Sequence, residues 1–395
     1  MKIGLYGLPC AGKSFILNRI DFLKVIEGSA TMKRLYPSFD VLDEFGKNEV
    51  RKKFAEKLLL ESDFIMDGHY SFGDRIAFTE SDGTLYDVIL YLYIKPEVLR
   101  SRMKESEKNN KYVNLDIEEW QIYEITELRK YCHKHNKDFY VIDNTSKGYF
   151  EDVNEVISFI KAIYDGYSCV DFAKKYTRYI LKNESEQEQI ILADGDKTIT
   201  VEDTSNLIYG YTTHIFDNNF YTGYQVWLHY NNFAKNYSYK EIVNIKDIAL
   251  MLKLNEAVAD KLGKHSYILT SGDDGIWESI AKYLQTTYFC GNQMSADTKY
   301  FITKFLREAG KRIVAYGDGM NDYYMLKEAD KSYLVAKPDG SISRSIKNMD
   351  LGGISIVRVG EDRWSQKTYS NNKIRFRNIW SWISKGTYSI GRNTW

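Results

Sequence analysis

Residues 2–14 read KIGLYGLPCAGKS, a short β-prone run followed by a glycine-rich loop and the start of helical sequence. The loop follows the pattern G-x-x-x-x-G-K-[ST], with Gly7, Gly12, Lys13 and Ser14 at its fixed positions. Glycines let backbone N–H groups approach phosphate oxygens, the lysine supplies positive charge, and the serine hydroxyl is suited to bind Mg²⁺. Because this pattern stands between a strand and a helix, as its chemistry requires, we predict a nucleotide-phosphate site.

Strand-like and helical sequence alternate around this loop. Further strand candidates lie at 63–66, 88–94 and 139–143. Residues 88–94, VILYLYI, form a continuous apolar run typical of a strand buried on both faces of a parallel sheet. The alternation predicts a doubly wound, Rossmann-like α/β domain over residues 1–165, followed by a linker helix within 166–187.

Several polar groups downstream of the loop are candidates for the same site. Asp67 follows a strand, where a carboxylate could assist Mg²⁺ or act as a base, although a solvated turn is the alternative. Arg100 and Arg102 could clamp phosphates or could lie on a solvated helical face. His69 fits a structural role as well as an orienting one.

With GLPCAGKS at 7–14, DGHY at 67–70 and LRSR at 99–102, the first 165 residues resemble adenylate-kinase-like P-loop kinases. The resemblance implies ATP as the phosphoryl donor, Mg²⁺ as its companion ion, a second acid at Asp67, and phosphate-binding lid arginines in LRSR. It leaves the phosphoryl acceptor open. Acidic residues in the right stretch for acceptor contacts, which an exposed loop explains equally well, are Asp40, Asp43 and Glu44.

Apolar strand sequence runs into an acidic loop twice in the second half of the chain. One loop is DGDKT, with Asp194 and Asp196 two residues apart, and the other is GDGMND, with Asp318 and Asp322. Paired carboxylates at a strand end are suited to hold a divalent cation beside a nucleophile. The two loops therefore predict a second α/β domain with a metal-assisted site.

Two further residues complete an ordered set of motifs. Ser271 follows the strand-like run YILT, and Lys299 opens a helix 18 residues before Gly317. This order, with DGDKT first and GDGMND last, resembles the haloacid dehalogenase-like phosphatases, in particular the phosphoserine-phosphatase-like branch. The resemblance covers about residues 188–345.

This second resemblance implies a phosphomonoesterase that works through an aspartyl-phosphate. It assigns Asp194 as nucleophile, Asp196 as general acid/base, Ser271 (with Thr270 as adjacent competitor) as phosphate-binding hydroxyl, Lys299 as phosphate-holding lysine, and Asp194, Asp196, Asp318 and Asp322 as residues around Mg²⁺. It also implies a helical cap at about 203–265, which suits small substrates. Aromatic residues of this insert, which could stack a base or sugar or simply pack the cap, are Tyr209, Tyr211, Tyr221, Tyr224, Trp227 and Tyr230.

Basic and aromatic residues accumulate in a predicted C-terminal extension, 346–395. Residues 337–395 hold 11 Lys/Arg against four Asp/Glu, and four of the seven Trp residues lie there. Interleaved basic and aromatic groups can bind single-stranded nucleic acid. A membrane surface, an oligomer contact and a strand–helix pair packed on the core are the other interpretations.

The composition narrows the class of protein. Lys+Arg and Asp+Glu both number 54, so the formal net charge is zero, which argues against a general attraction to nucleic acid. Four scattered cysteines without CxxC spacing exclude a disulfide scaffold and make a structural zinc site improbable. No apolar run is long enough to predict a membrane span, and we expect a reducing cytoplasm.

These patterns predict a bifunctional enzyme, an ATP-dependent kinase fused to a Mg²⁺-dependent phosphatase, acting on small phosphorylated metabolites or nucleotides. One alternative is a polynucleotide 5′-kinase and 3′-phosphatase for end repair. Another is a phosphatase regulated by nucleotide bound at the loop of residues 7–14. No feature of the sequence predicts an oligomeric state.

Overall fold

The computed structural model describes residues 1–143, 153–204, 214–216, 220–236 and 252–359. The chain divides into two compact units. The first comprises Met1–Phe172 and His214–His229, and the second comprises Ala173–Thr213 and the chain from Tyr230 onward. Two units of mixed α/β structure confirm the predicted fold class.

The first unit is built on a parallel sheet. Its strands are β1 (Lys2–Tyr6), β2 (Lys24–Ile26), β3 (Phe64–Asp67), β6 (Val88–Leu92) and β7 (Asp138–Ile142), with a small antiparallel pair, β4 (Ser71–Phe72) and β5 (Arg75–Ile76). The five parallel strands lie in the order β2–β3–β1–β6–β7. All residues of β6 are buried, as expected from its continuous apolar run.

Helices cover both faces of this sheet. They are α1 (Lys13–Leu17), α2 (Gly28–Leu35), α3 (Glu44–Leu59), α4 (Glu80–Leu85), α5 (Pro96–Glu105), α6 (Ile117–Lys134) and α7 (Val153–Tyr164), with 3₁₀ turns at Phe39–Val41 and Asn110–Tyr112. Alternate residues of a strand face opposite sides. Ile3 and Leu5 accordingly enter one apolar cluster and Tyr6 enters the other, so the sheet is doubly wound.

Part of the insert between DGDKT and Ser271 belongs to this first unit. Helix α9 (Gly223–Asn236) buries Tyr224, Trp227 and Leu228 in the same apolar cluster as β1. Phe220 meets Tyr93 edge to face, with ring centroids 4.9 Å apart. Residues 205–213, 217–219 and 237–251 of the cap predicted at 203–265 lie outside the described residues, and its part at 220–229 packs in the first unit.

The insert also satisfies the exposed edge of strand β7. The Val141 backbone N–H donates to Thr222 Oγ1 at 3.2 Å, and Gln225 Nε2 donates to the Val141 carbonyl oxygen at 2.7 Å. The Thr222 hydroxyl in turn donates to Gln225 Oε1 at 2.6 Å. An uncovered edge strand leaves polar backbone groups unpaired. The side chains of Thr222 and Gln225 supply hydrogen bonds to the β7 backbone that a neighbouring strand would otherwise supply.

The second unit has a six-stranded sheet, also wholly parallel. Its strands are β8 (Gln189–Asp194), β9 (Ser266–Thr270), β10 (Thr287–Cys290), β11 (Arg312–Gly317), β12 (Lys331–Ala336) and β13 (Ile354–Arg358). They lie in the order β10–β9–β8–β11–β12–β13. Strand β13 falls within the predicted extension at 346–395, of which residues 360–395 lie outside the described part.

Helices of the second unit alternate with these strands. They are α8 (Cys169–Asn183), α10 (Glu256–Ala259), α11 (Asp274–Leu284), α12 (Ala296–Glu308) and α13 (Met320–Glu328), with a 3₁₀ turn at Arg344–Ile346. Strand β8 lies between β9 and β11. The loops that follow these three strands therefore meet at the carboxyl edge of the sheet, where parallel α/β domains bind ligands.

None of the four cysteines forms a disulfide bond. None of the helices described in the structure has the length and apolar character needed to cross a bilayer.

Candidate active sites

Three carboxylates and a lysine meet at the carboxyl edge of the second sheet. Lys299 Nζ donates to Asp194 Oδ1 at 2.5 Å and to Asp322 Oδ1 at 2.8 Å. One oxygen from each of Asp194, Asp318 and Asp322 lies within 4.8 Å of the others. Lys299 is fully buried. We call these four residues the acidic cluster.

The local structure explains why residues so distant in sequence meet. Strands β8 and β11 are paired with Ala193 opposite Tyr316, so the loops that carry Asp194 and Asp318 leave the sheet side by side. Asp322 lies in the first turn of α13, where its Oδ2 accepts from the Asp318 N–H at 3.1 Å. A Cβ on Gly317 would lie 2.3 Å from Asp322 Cβ, so the motif needs glycine at that position.

The charges of the acidic cluster are poorly balanced. Burial raises the pKa of Asp194 to about 7, and the carboxylate of Asp322 adds to this shift. Burial and its two acidic neighbours raise the pKa of Asp318 well above its usual range. Burial alone would lower the pKa of Lys299, but Asp194 and Asp322 raise it instead. Oxygen ligands with excess negative charge fit Mg²⁺.

Asp196 stands apart from the three carboxylates that share this cluster. Its Oδ1 accepts from the Thr204 N–H at 2.7 Å, which fixes the carboxyl group at the start of the insert. Burial raises the pKa of Asp196 to about 6, and Asp203 contributes to the shift. A carboxyl group with this pKa can both give and accept a proton near neutral pH.

The loop after β9 presents two adjacent hydroxyl groups with different surroundings. Thr270 is buried, and its Oγ1 accepts from the Gly272 N–H at 3.0 Å. Ser271 is half-buried. Ser271 is the more exposed of the two, and its role as the phosphate-binding hydroxyl stays a prediction.

The glycine-rich loop of the first unit connects β1 to α1. Gly12 has φ of +98°, a left-handed conformation that favours glycine. Lys13 Nζ donates to the carbonyl oxygens of Gly7 at 2.5 Å and Leu8 at 3.1 Å. Burial lowers the pKa of Lys13 to about 8, and the carboxylate of Asp67 partly offsets that effect.

The DGHY segment lies beside this loop. Asp67 ends β3 and is paired with Leu5 of β1. Its Oδ1 accepts from the Gly28 N–H at 2.8 Å, at the start of α2. His69 Nδ1 lies 3.5 Å from Lys13 Nζ. Burial and the charge of Lys13 lower the pKa of His69 well below its usual range, so its ring is neutral.

A cavity of about 330 Å³ opens over the glycine-rich loop. Its lining comprises Pro9, Cys10, Ala11, Gly12, Lys13, Ser14, Phe15, Asp67, His69, Phe72, Lys108, Asn109, Lys111 and Tyr112. Two lysines, Lys108 and Lys111, thus face the same space as Lys13. Three cations around one cavity are suited to bind a polyphosphate.

The two candidate arginines occupy different positions from these lysines. Arg102 Nη1 donates to the Cys10 carbonyl oxygen of the glycine-rich loop at 3.3 Å. Arg100 Nη1 donates to the carbonyl oxygens of Val113 and Leu115. Neither arginine lines the cavity. Lys108 and Lys111 were missed by sequence reasoning, although the basic run KNNKY at 108–112 was the available signal.

The three acidic residues considered for the acceptor are engaged locally. Asp40 pairs with Lys33 at 2.7 Å, and Glu44 pairs with Arg75 at 2.7 Å. Asp43 caps helix α3 by accepting from the Gly46 N–H at 2.8 Å. These contacts give each carboxylate a structural role, and the acceptor assignment stays a prediction.

Comparison with known proteins finds similarity in solved structures. No protein-family model and no curated protein matches the chain. A shikimate kinase from Bacteroides thetaiotaomicron is 14% identical over 42% of this chain and 98% of its own, with a TM-score of 0.29.

Phosphoserine phosphatase in its apo form is 15% identical over 47% of this chain and 98% of its own, with a TM-score of 0.29. A phospho-aspartyl intermediate analogue of phosphoserine phosphatase is 17% identical over 47% of this chain and 99% of its own, with a TM-score of 0.28. The similar structures therefore include both kinds of protein that the sequence motifs resemble.

Proposed function

We propose that the chain is a bifunctional enzyme, with a Mg²⁺-dependent phosphomonoesterase in the second unit and an ATP-dependent kinase in the first. The phosphatase rests on one observation above all, the buried Lys299 that bridges Asp194 and Asp322 beside Asp318. A purely structural ion pair would not need a third carboxylate, the half-buried Asp318, beside it. This surplus of carboxylates supports a site for a cation and a phosphate.

The second unit's own residues account for both halves of a phosphomonoester hydrolysis. Asp194 attacks phosphorus through a carboxylate oxygen, and Asp196 protonates the oxygen of the departing alcohol. Asp196 then takes a proton from water, whose oxygen attacks phosphorus and releases inorganic phosphate and free Asp194. Lys299 holds positive charge beside the transferring group. Mg²⁺, when bound, would neutralise further negative charge on phosphate and carboxylates.

Hydrolysis of p-nitrophenyl phosphate tests this half of the proposal. We expect steady turnover with Mg²⁺ present, and a fall of about 100-fold or more when EDTA removes the ion, because the acidic cluster then repels the phosphate. Activity should return on adding Mg²⁺ in excess. Turnover that EDTA leaves unchanged would contradict a metal-assisted site.

The kinase half rests on the cavity over the glycine-rich loop. Lys13, Lys108 and Lys111 line it, and Ser14 adds a hydroxyl suited to Mg²⁺. Asp67 stands at the adjoining strand end, where its carboxylate would help to hold Mg²⁺ or would orient an attacking hydroxyl. These groups support ATP as the ligand, with its triphosphate along the loop.

Transfer of label from γ-labelled ATP tests this half. Acceptors to offer are nucleosides, nucleoside monophosphates, sugars and 5′-hydroxyl oligonucleotides. We expect transfer to a small acceptor, and Lys13→Met should lower it about 100-fold or more because charge on the γ-phosphate is no longer balanced. Lys24→Met is the matched control, since Lys24 is exposed and pairs with Glu61 at 2.5 Å.

The same experiment separates the alternatives. Transfer to the oligonucleotide alone would favour a polynucleotide kinase and phosphatase over an enzyme of small metabolites. ATP binding without transfer to any acceptor would favour a phosphatase that is regulated by nucleotide.

A further inference from the structure

We propose that Tyr230 is a positioning residue for the phosphatase, and that its hydroxyl sets the conformation of the loop that carries Ser271. This inference rests on the proposed phosphomonoesterase activity and deepens it. Tyr230 comes from the insert, where the sequence suggested either base stacking or packing for its ring. The structure gives its hydroxyl a different task.

The division between the two units falls within α9, after His229, so Tyr230 and the loop that carries Ser271 both belong to the second unit. The Tyr230 hydroxyl lies 2.7 Å from the Ser271 carbonyl oxygen and 2.9 Å from the Gly272 carbonyl oxygen. Both distances lie within hydrogen-bonding range, and the single hydroxyl proton is shared between the two carbonyl oxygens. Tyr230 is half-buried, so its bond is partly protected from competing water.

These bonds act on the orientation of two successive peptide planes. A peptide unit is planar, with its carbonyl oxygen and its N–H on opposite sides. Tyr230 holds the carbonyl side of the unit that joins Ser271 to Gly272, and Thr270 Oγ1 holds the N–H side of the same unit at 3.0 Å. That unit is therefore held from both sides.

The next peptide unit, between Gly272 and Asp273, is held by Tyr230 through its carbonyl oxygen. Asp273 in turn caps α11, where its Oδ1 accepts from the Gly275 N–H at 3.0 Å. The loop thus runs between two fixed ends, β9 and α11, with Tyr230 bonded at its middle. Without the Tyr230 hydroxyl, the carbonyl groups of Ser271 and Gly272 lose the hydrogen-bond donor that fixes the orientation of their peptide planes.

Loss of the Tyr230 hydroxyl is expected to change the position of Ser271. Its hydroxyl is proposed to bind the phosphate, and a displacement of an angstrom in such a group is enough to lower turnover by up to about 100-fold. Loss of one hydrogen bond changes an equilibrium by about tenfold. We therefore expect an effect of about tenfold on phosphate recognition, rather than the abolition expected for the nucleophile.

Tyr230→Phe tests the inference, because it keeps the ring and removes only the hydroxyl. We expect kcat/KM for p-nitrophenyl phosphate to fall about tenfold, mostly through a higher KM. Inhibition by inorganic phosphate should weaken by the same factor, since product and substrate use the same loop. A purely structural hydroxyl would lower the melting temperature and leave KM and phosphate inhibition unchanged.

The matched control is Tyr267→Phe. Tyr267 is buried at the amino end of β9, the opposite end of the strand from Ser271, and its hydroxyl donates to Glu184 Oε1 at 2.8 Å. This change removes a buried hydroxyl from the same unit, so it should lower stability and leave the kinetic constants as they are.

A double-mutant cycle with Ser271→Ala decides whether Tyr230 acts through Ser271. If it does, Tyr230→Phe will add less than about twofold in the Ser271→Ala background. Fully additive effects, or unchanged kinetics in the single Tyr230→Phe variant, would overturn the inference while leaving the phosphatase intact. Absence of hydrolysis in the unaltered protein would instead overturn the proposed function.

Discussion

Replacing Lys299 with methionine should abolish p-nitrophenyl phosphate hydrolysis and destabilise the metal-free second unit by about 3–5 kcal/mol. Methionine fills a similar volume without the charge, so the effect comes from electrostatics rather than from a cavity. Lys299 is fully buried and bonds to Asp194 and Asp322 at 2.5 and 2.8 Å. Its removal leaves the two buried carboxylates of Asp194 and Asp322 without the ammonium group that lies between them, next to the half-buried Asp318.

The large stability effect follows from the asymmetry of buried ion pairs. Forming such a pair gains little, because desolvation offsets most of the attraction, but removing one partner strands the other in a medium of low dielectric constant. Here two carboxylates lose their shared partner at once. Denaturation by urea in EDTA measures the change in the free energy of unfolding.

Two further measurements make this prediction sharp. Mg²⁺ should stabilise the Lys299→Met variant more than the unaltered protein, because the added ion then supplies the missing positive charge. Lys282→Met is the control, since Lys282 is 61% exposed and its pairing with Glu278 is an ordinary surface contact. A loss below about 1 kcal/mol for Lys299→Met would show that the buried bridge is not formed.

The elements of the fold that sequence predicted well are those set by local patterns. The apolar run at 88–94 predicted a strand buried on both faces, and β6 at Val88–Leu92 is buried at every residue. Acidic loops after apolar strands were expected in a second α/β domain, and β8 and β11 are neighbours in its sheet. Because these two strands are adjacent, Asp194 and Asp318 lie close together. The sequence does not reveal the strand order, so it could only suggest this proximity.

The insert was harder to predict because its partner is not local. Tyr224, Trp227 and Leu228 have spacings that give a helix one apolar face, but periodicity does not say which sheet buries that face. The structure buries it with β1 of the first unit, although the sequence places it between two motifs of the second. Thr222 and Gln225 gave no sequence signal, since only the free edge of β7 gives them a role.

The cations of the first unit show a second limit of sequence reasoning. Arg100 and Lys111 both lie in a charged stretch, and nothing in their spacing separates a site residue from a structural one. Arg100 instead donates to the carbonyl oxygens of Val113 and Leu115, while Lys111 lines the cavity. Long side chains reach several places from one backbone position, so their roles depend on the fold of the neighbouring loop.

The contrasting substitution in the same ion pair is Asp194→Asn. We expect it to abolish hydrolysis, as Lys299→Met does, yet to leave the metal-free protein at least as stable as the unaltered one. An amide oxygen is a poor nucleophile, so no aspartyl-phosphate forms. The amide also removes one negative charge from a cluster in which Lys299 pairs with Asp194 and Asp322 and a third carboxylate, Asp318, lies close by.

The direction of the stability change follows from the pKa of Asp194, which burial and then Asp322 raise to about 7. Folding that raises the pKa of an acid disfavours its charged form, so the aspartate destabilises the fold above pH 7. This cost decreases as the pH falls below 7 and vanishes once the unfolded chain is protonated too. Asparagine avoids this cost. The gain in the free energy of unfolding of the Asp194→Asn variant, measured with urea in the presence of EDTA, should therefore be largest near pH 8 and fade toward pH 4.

Transfer of label from ATP supplies the control that separates the two units. Asp194→Asn should leave ATP binding and transfer unchanged, because Lys13 and the cavity over the glycine-rich loop belong to the first unit. Retained hydrolysis would show that another group is the nucleophile. A marked loss of stability near pH 8 would show that the Lys299–Asp194 bridge outweighs repulsion among the carboxylates. Lost hydrolysis with preserved folding is the pattern expected of a residue kept for chemistry at a cost in stability.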